Sequence, residues 1–558
     1  MNPLKKIICC FFITFSLILV LSLNIMAAND NEDIIYASKT GNTALIENLI
    51  AQKEDVNQQD YLGNTPLIYS CSIGKEDAVK LLLKKKANPN IVNNDGISPL
   101  IVACTTNNFE IIKHLIKEKA KIDVKNKDGM TPLMFACING NVEIVNFLLE
   151  KKANPNDTDK NGNTALIFAT EKGQIDIIKA LIAGKASVNT ENDNKLTPFF
   201  IAARQGNLNI LKTLASAGAK TNQPNINGVT PLIACAALGN LDTLRYMIED
   251  LKTDINSKDK NGNNALIASV AFMYSDIIKK VLYSSKDIAQ LDESTYYDFV
   301  EQNKIQGKEM MQYLVKHGIY INNANNNGIS AFTLAIIEND IDSARYLKDN
   351  GANKNQIDNN GNDALLLATK DSNLNAYYFL VDECDMDINS TNNEGKTPLM
   401  YAIESGNFDI INSLLSNKNI NVKKSDKNGK SALMYAAEAG YIKIIFDLVH
   451  KYGADINDID TKGNTPLMYS LKSANPQVVQ MIVDLHADKE IRNKKGLTAL
   501  DMAKAYEDPE YEEIIKILDG TKAKEDAALA AEQAAKKKAA SSTAAKKKAP
   551  AKKAAKKK

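Results

Sequence analysis

Residues 126–158 read NKDGMTPLMFACINGNVEIVNFLLEKKANPNDT, and this 33-residue unit recurs through most of the chain. Each copy has a glycine before Thr-Pro-Leu, a second glycine or asparagine about ten positions later, and then an apolar run. Successive opening glycines lie 33 or 34 residues apart, except for two gaps of 66. They are Gly63, Gly96, Gly129, Gly162, Gly228, Gly262, Gly328, Gly361, Gly395, Gly429, Gly463 and Gly496. A fixed period of this length predicts stacked repeats rather than one globular core.

Within this unit the residue types predict a turn followed by two helices of unequal length. Gly129 suits the turn because glycine tolerates a positive φ. Thr131 can cap a helix through its hydroxyl, and Pro132 fits the first helical position. Residues 139–141 (Asn-Gly-Asn) end the first helix, and the apolar residues of 144–149 give the second helix one apolar face. Neither helix buries its apolar side alone, so each unit needs neighbours.

The unit resembles the ankyrin repeat, whose consensus contains Gly-x-Thr-Pro-Leu-His-x-Ala-Ala and, later, Ala-Asp-Val-Asn. The Gly-x-Thr-Pro-Leu motif stands at residues 63–67, 129–133, 395–399 and 463–467, and Ala-Asp-Ile-Asn at 454–457 matches the link. The resemblance covers about residues 30–519. It implies an all-α, ankyrin-type solenoid of about 15 helix-turn-helix repeats with hairpin-like turn tips. The consensus histidine is replaced, mostly by apolar residues, so we expect apolar packing in place of its hydrogen bonds.

Several units depart from the pattern. The opening glycine is missing at residues 195–199, which keep the rest of the motif. Residues 284–318 form a degenerate repeat in which we predict only a second helix, Gly307 to Val315. The first unit is short, with helices predicted at 33–38 and 43–50. The last unit, 496–518, carries charged residues where the end of a stack must meet water.

The N-terminal residues 1–28 have the pattern of a secretory signal peptide. Lys5 and Lys6 precede an uncharged segment, residues 7–28, that ends in Ala27 and Ala28. An uncleaved membrane anchor is the alternative, because about 17 to 22 uncharged residues are nearly enough to span a bilayer. We therefore expect export to the periplasm, the cell envelope or the medium, or anchoring by residues 7–28. The abundance of Asn, Lys and Ile is typical of an AT-rich bacterial genome.

Residues 520–558 form a Lys/Ala-rich tail whose charge is hidden by a formal net charge of only +1 for the chain. Alanine favours helix, but the segment has almost nothing to bury, so the tail is predicted to be disordered with fluctuating helix. Its lysines predict contact with polyanions, namely an anionic envelope polymer, membrane headgroups or nucleic acid. An inert solubilising end and a specific receptor for the tail are the alternatives. The predicted polyanion-binding residues are Lys536, Lys537, Lys538, Lys546, Lys547, Lys548, Lys552, Lys553, Lys556, Lys557 and Lys558.

Five cysteines follow the export segment: Cys71, Cys104, Cys137, Cys235 and Cys384. Stacked helices lie roughly 8–10 Å apart, and a disulfide needs Cα atoms within about 7 Å, so we expect buried free thiols. Apparent phosphate-loop and calcium-loop fragments lack required positions and fall in repeat turns. The four histidines are scattered, so the sequence predicts no catalytic, cofactor or metal site and hence no enzyme.

One slot of the first helix carries aromatic residues: Tyr69, Phe135, Phe168, Tyr401, Tyr435 and Tyr469. Packing between adjacent repeats is the favoured explanation, and a stacking surface for bases or glycans is the alternative.

The resemblance also implies a function, because ankyrin-like proteins usually contact partners through the turn tips and the exposed end of the first helix. We therefore expect a monomeric protein–protein interaction scaffold for an unidentified partner protein, with a polyanion tether through the tail as the alternative. The predicted partner-binding residues are Tyr61, Leu62, Asn64, Ser72, Ile73, Arg204, Gln205, Phe272, Met273, Glu404, Ser405 and Glu438.

Overall fold

The computed structural model describes residues 33–274, 293–506 and 508–546. Within these ranges the chain forms 29 α-helices and no strand, which confirms the predicted all-α stack of about 15 repeats: the helices form roughly 14–15 helix-turn-helix repeats. No helix in the described part of the chain is long and apolar enough to cross a membrane. The predicted export segment, residues 1–28, lies outside the described residues.

The chain divides into two compact units, Met1–Tyr320 and Ile321–Lys558. The helices of the first unit are α1 (Ile34–Thr40), α2 (Thr43–Ala51), α3 (Pro66–Ser72), α4 (Glu76–Lys84), α5 (Pro99–Thr105), α6 (Phe109–Lys117), α7 (Pro132–Asn139), α8 (Val142–Glu150), α9 (Ala165–Glu171), α10 (Ile175–Ala183), α11 (Pro198–Gln205), α12 (Leu208–Ser216), α13 (Pro231–Ala236), α14 (Leu241–Glu249), α15 (Ala265–Met273) and α16 (Glu293–Lys316).

The second unit continues the pairing of a first and a second helix in each repeat. Its helices are α17 (Ala331–Ile337), α18 (Ile341–Asp349), α19 (Ala364–Lys370), α20 (Leu374–Tyr378, extended by a π-turn at Phe379–Glu383), α21 (Pro398–Ser405), α22 (Phe408–Ser416), α23 (Ala432–Ala439), α24 (Ile442–His450), α25 (Pro466–Ser470, extended by a 3-10 turn at Leu471–Ser473), α26 (Pro476–Asp484), α27 (Ala499–Lys504), α28 (Tyr511–Leu518) and α29 (Thr521–Lys546).

The helix starts in the repeat at 126–158 follow from capping residues, of which Thr131 was predicted and Asn141 was not. The hydroxyl of Thr131 accepts the N–H of Met134 at 3.3 Å, and Pro132 occupies the first turn of α7. Asn141 caps α8 by accepting the N–H of Ile144 at 3.0 Å. These local hydrogen bonds satisfy N–H groups that a helix start leaves without partners, so the sequence alone places both helix starts.

The two helices of a repeat are buried to different extents because they have different neighbours. Helix α7 contacts α5, α8 and α9, and residues 132–137 are all buried. Helix α8 buries only Ile144, Val145 and Leu148, on the face that meets α7 and the adjacent second helices. The apolar core of each of the two compact units is therefore a stripe that passes through successive repeats, as expected for stacked repeats.

The asparagines of the links between repeats form a second element of the stack. The Oδ1 atom of Asn156 accepts the N–H of Ser187 at 2.7 Å, and its Nδ2 atom donates to the carbonyl of Lys185 at 3.2 Å. The same pair of bonds is made by Asn90, Asn189 and Asn322. The link asparagine therefore ties the link after one repeat to the end of the second helix in the following repeat.

The five described cysteines are free and buried, which confirms the prediction. Burial raises the pKa of all five thiols.

Two segments correct the sequence predictions. In the degenerate repeat the helix runs over Glu293–Lys316, well beyond the predicted 307–315, because it packs along α15 and reaches α14. The tail, predicted to be disordered, forms α29 over Thr521–Lys546, because alanine and lysine favour helix and the segment continues directly from a packed last repeat. Residues 275–292 and 547–558 lie outside the described residues.

Candidate protein-binding surface

The turn tips of the second unit are fixed by side chain and backbone together. Asn392 starts one turn, and its Oδ1 atom accepts the N–H of Glu394 at 2.9 Å. Gly395 has φ +77°, and a Cβ atom there would lie 3.1 Å from the Cα of Asp426 in the next turn. The N–H of Lys427 donates to the carbonyl of Glu394 at 2.7 Å. Neighbouring tips are thus held in register, and both the positive φ and the short Cβ distance favour glycine at this position.

A tyrosine on the first helix bonds to the start of its own turn. The hydroxyl of Tyr435 donates to Asp426 Oδ2 at 2.9 Å, and that of Tyr469 donates to Asp460 Oδ2 at 2.8 Å. Burial, and then this hydrogen bond, raise the pKa of Tyr435. The apolar residue in the histidine slot is buried as expected, for example Met434. However, the tyrosine that follows supplies a hydrogen bond to the turn, so apolar packing is not the whole replacement.

The aromatic slot serves packing rather than stacking on a ligand. The rings at five of its positions, all but Tyr469, are buried, with at most 8% of the residue exposed. A stacking platform for bases or glycans needs exposed ring faces. The structure therefore supports the favoured explanation, packing between adjacent repeats.

Two lysines lie over the tyrosine rings of this slot in the second unit. The Nζ atom of Lys430 lies 3.7 Å from the ring centroid of Tyr435 and 4.9 Å from that of Tyr469. Lys396 lies 5.1 Å from Tyr401 and 5.5 Å from Tyr435. Each ammonium group therefore lies over the rings of two successive repeats, within the range of cation–π attraction.

The same lysines are paired with carboxylates at the far end of the first helix. Lys396 pairs with Glu404 at 2.8 Å, Lys430 pairs with Glu438, and Lys472 of the next repeat also reaches Glu438, at 2.7 Å. Burial alone would raise the pKa of Glu438, but the hydrogen bonds from its two lysines outweigh this and lower the pKa. We name these five residues the charged ridge.

The outer atoms of the charged ridge are open to solvent, whereas the inner lysines are covered. The side chain of Glu404 is 48% exposed and that of Lys472 is 54% exposed, against 13% for Lys430. Ser405, beside Glu404, is exposed and its hydroxyl donates to the carbonyl of Ala402 at 3.2 Å. The ridge therefore offers charges in fixed positions. The binding role predicted for Glu404, Ser405 and Glu438 stays a prediction.

The residues predicted in the first full repeat divide into exposed and buried ones. Tyr61 is 77% exposed, and Leu62, Ser72 and Ile73 are half-buried, so a partner can reach them. Asn64 is only 2% exposed, because its side chain is held by the Tyr69 hydroxyl and the amide of Asn93. The prediction that Asn64 contacts a partner is corrected on this ground.

Arg204 and Gln205 lie at the exposed end of α11, as predicted. Gln205 is exposed, but its Nε2 atom donates to the carbonyl of Glu171 in the preceding repeat at 2.9 Å. Arg204 is half-buried, and its carbonyl accepts a hydrogen bond from Asn240 at 2.9 Å. Both residues connect repeats, and their predicted contact with a partner stays a prediction.

Phe272 and Met273 are interior residues, which corrects the prediction that they form an exposed apolar pair. They are 6% and 3% exposed. A side chain at Gly239 would overlap the ring of Phe272, and one at Gly307 of α16 would overlap Met273. The long helix of the degenerate repeat therefore covers the end of α15.

The tail lysines are only partly described. Lys536 is exposed on α29 and pairs with Glu532 at 2.7 Å. Lys537, Lys538 and Lys546 belong to the same helix, but their side chains lie outside the described part of the chain. The remaining predicted lysines, 547, 548, 552, 553 and 556–558, also lie outside it. Polyanion binding by the tail stays a prediction.

One group of side chains with metal-ligand chemistry was missed by the sequence analysis. Ligand atoms of Glu76, Glu110 and His114 all lie within 4.8 Å of one another. The signal was the i,i+4 spacing of Glu110 and His114 on α6, but Glu76 comes from the previous repeat. Lys80 and Lys113 already pair with the two glutamates, at 2.5 and 2.8 Å, so a cation would have to displace them.

Comparison with known families gives one match. A family model described as "Ankyrin repeats (3 copies)" matches residues 34–128, 107–192, 153–225, 199–292, 365–460 and 433–526, which is well over half of the chain. The unmatched stretch between residues 292 and 365 contains α16, the helix of the degenerate repeat. A comparison with curated proteins gives no significant match.

Proposed function

The chain belongs to the ankyrin-repeat family, and from this premise we propose that it is a non-enzymatic, monomeric scaffold that binds a partner protein. Ankyrin repeats imply a protein-binding scaffold. The observation that carries the finer proposal is the charged ridge. It supports the proposal that a partner contacts the turns and first helices of residues 392–473.

The ridge is repeated in a way that stacking alone does not require. Residues 395–404 and 429–438 share the pattern Gly-Lys-[Thr/Ser]-x-Leu-Met-Tyr-Ala-x-Glu, and the carboxylate ends on the solvent side each time. The lysines lie over tyrosine rings, and the carboxylates are held by lysines. A surface with side chains already fixed loses less rotamer entropy on binding, about 0.5–1.5 kcal/mol for each side chain that need not be immobilised. Charges arranged in this way favour a partner with a complementary charged surface.

Charge reversal on the ridge tests this proposal. We would capture partners from envelope and host lysates with the full chain and with Glu404→Lys, using Asp409→Lys as the matched control. Asp409 is an exposed acid of the same repeat, but it lies in the first turn of the second helix. We expect Glu404→Lys to lose a partner that the control retains. Equal capture by both variants would remove the ridge from the proposal.

For localisation we propose export, with cleavage of the segment that ends at Ala28. The supporting observation is the sequence pattern of residues 1–28. N-terminal sequencing of the mature protein, combined with fractionation, tests it. A chain that starts near Asn29 in the envelope or medium agrees with the proposal. An intact N-terminus in the membrane fraction would support the anchor instead, and an intact cytoplasmic chain would contradict both.

A second candidate function, a tether to polyanions through the tail, is favoured by the exposure of α29. The described side chains of this helix beyond its first turn are almost all exposed. Exposed lysines attract anionic polymers in a strongly salt-dependent manner. Deletion of residues 521–558 should abolish retention on an anionic matrix at low salt. Unchanged retention would contradict this function without affecting the protein-binding proposal.

A further inference from the structure

In each of the first five repeats, the second residue after the end of the second helix is a lysine with left-handed backbone. These residues have φ between 65° and 72° and follow one another at intervals of 33 residues. We name them the lysine row: Lys53, Lys86, Lys119, Lys152 and Lys185. All five are exposed. The row lies at the ends of the second helices, apart from the turns and first helices that the proposed protein-binding surface uses.

Lysine stands here in a position that normally belongs to glycine. At the end of α6, the N–H of Lys119 donates to Ile116 at 3.0 Å and that of Ala120 donates to Leu115 at 2.9 Å. This pair of bonds is the Schellman motif, whose left-handed residue is usually glycine because a Cβ atom is disfavoured there. Other repeats of this chain do use glycine, as at Gly218 and Gly351. Five consecutive repeats thus keep lysine against the local backbone preference.

The helix dipole does not explain the choice. A cation near a helix C-terminus is favourable, but it need not occupy the left-handed position to act. Lys84 and Lys117 already stand in the last turns of α4 and α6, and Lys151 is the C-cap of α8, all with ordinary backbone. The additional lysine in each of these repeats therefore requires another explanation. A residue held in a disfavoured backbone conformation is a reason to look for a function.

The ammonium groups of the row are available to a ligand. Among the described residues none of the five forms an ion pair, whereas the adjacent Lys85 and Lys151 pair with Glu47 and Glu150, both at 3.1 Å. The exposed carboxylates at this edge include Glu118 and Glu150, and Glu150 is already paired. The row therefore keeps unpaired positive charge.

The row follows the stack of repeats, and two of its lysines are bonded through the backbone to the repeat before them. The side chain of Asn90 donates to the carbonyl of Lys119, and that of Asn156 donates to the carbonyl of Lys185, both at 3.2 Å. These bonds attach the backbones of Lys119 and Lys185 to the preceding repeat. Packed helices lie about 8–10 Å apart, so the row presents one ammonium group roughly every 10 Å over a length of about 40 Å.

The surroundings of the row select the kind of ligand. Within the described helix ends that carry it, residues 50–54, 83–87, 116–120, 149–153 and 182–186, no large apolar or aromatic side chain is exposed. Single-stranded nucleic acid is normally held by exposed aromatic rings, and a membrane surface by inserted apolar residues. We propose that the lysine row binds a linear phosphate polymer without bases through its charge alone. This inference goes beyond the proposed protein-binding function and does not depend on it.

Lysine footprinting of the full chain tests the proposal directly. Acetylation of each lysine by an N-hydroxysuccinimide ester would be measured by mass spectrometry, with and without long-chain sodium polyphosphate at low salt. We expect the five lysines of the row to be protected, in addition to any protection of the tail. Protection confined to residues 522–558 would overturn the proposal. Stronger protection of the row by oligodeoxythymidylate than by polyphosphate would overturn the assignment to a polymer without bases.

A five-fold Lys→Gly variant of the row gives an independent measurement. It removes the charges but should fold, because glycine already fits this position at Gly218 and Gly351; circular dichroism checks this. Five contacts on a flexible polyanion give a slope of about −3.5 in log K against log salt, or roughly 100-fold weaker binding between 50 and 200 mM salt. We expect the slope of log K against log salt to be less steep in the variant by about this amount.

The matched control removes the same number of exposed lysines from the second unit by substitution with glutamine. These lysines are Lys370, Lys418, Lys423, Lys427 and Lys494. We expect the control to keep the affinity and salt dependence of the unaltered chain, and a five-fold Lys→Arg variant of the row to keep them as well. An unaltered slope in the Lys→Gly variant would overturn the proposal. An equal loss in the glutamine control would do so too, because the attraction would then come from overall charge.

Discussion

Substitution of Gly463 by alanine tests whether turn tips approach too closely for a side chain. Gly463 has φ +78°, and a Cβ atom would lie 3.1 Å from the Cα of Asn493 and from the nitrogen of Lys494. Gly496, in the same slot of the last repeat, has φ +77° and nothing within 4 Å. The two glycines therefore share one backbone conformation and differ only in the neighbouring turn, which makes Gly496→Ala the matched control.

The expected magnitudes follow from these two contributions. Left-handed backbone costs an L-residue about 1–2 kcal/mol. Lower entropy of the unfolded chain returns about 0.4–1 kcal/mol of this. Gly496→Ala should therefore lose about 1 kcal/mol of unfolding free energy. Gly463→Ala would also place its Cβ atom 3.1 Å from backbone atoms of the next turn, and overpacking of this kind adds about 1–3 kcal/mol. Its total loss should be about 2–4 kcal/mol.

Urea unfolding and native-state hydrogen exchange measure both losses. The amide of Lys494 donates to the carbonyl of Lys462 at 2.8 Å across the two tips, so its exchange rate reports on the contact itself. We expect faster exchange of this amide in Gly463→Ala and a smaller change in Gly496→Ala. If both variants lose the same free energy and Lys494 stays protected, the close-approach argument is refuted.

Three further predictions concern the stack, the charged ridge and the buried thiols. Asn156→Ala should lose about 1–3 kcal/mol in urea unfolding, because it removes hydrogen bonds to Ser187 and Lys185 that are each worth about 0.5–1.5 kcal/mol; no loss would contradict a role for the link. The pKa of Glu438 is lowered from 4.5 in the folded state, so its stabilisation is present above this value and disappears as the pH falls through the folded pKa. Glu438→Gln should therefore unfold at lower urea at neutral pH and approach the unaltered chain in acid; a difference independent of pH would contradict the ion pairs. Burial raises the pKa of Cys137, so maleimide labelling of its peptide, followed by mass spectrometry, should require unfolding, and rapid native labelling would contradict the burial.

The parts of the fold that the sequence predicts well are those that depend on nearby residues. The cap at Thr131 and the positive φ of Gly129 each depend on atoms within a few positions along the chain. The same is true of the small first repeat, whose predicted helices at 33–38 and 43–50 match α1 and α2 within two residues at each end. Because the same local residues recur in each repeat, the helices of one repeat suffice to predict most of the helices in the others.

The failures arise where a distant segment decides the outcome. Phe272 was expected to be exposed because it lies at the end of a first helix, but its ring packs against Gly239 of the preceding repeat, and α16 covers the neighbouring Met273. Asn64 lies in a turn tip and was also expected to be exposed, yet the amide of Asn93, in the next repeat, draws it inward. The hydrogen bond of the Tyr435 hydroxyl spans nine residues, from a helix to the turn before it, and no single-residue rule predicts it.

The residue directly after the opening glycine shows which contacts the stack requires and which contacts belong only to the surface. At Asn64 and Asn464 the side-chain carbonyl accepts an amide N–H from the first residue of the next turn, at 2.9 and 3.0 Å. Lys396 and Lys430 occupy this slot in the charged ridge, and the next turns start with Asp426 and Asp460, which have no side-chain amide to donate.

These two repeats have therefore exchanged a hydrogen bond between repeats for a lysine that lies over tyrosine rings and pairs with a carboxylate. The tips remain in register, because the backbone bond from Lys427 to Glu394 persists beside the exchanged position. Stacking is thus satisfied by either residue type. The residue at this position can therefore change without loss of the stack. A binding surface on a repeating scaffold needs positions of this kind.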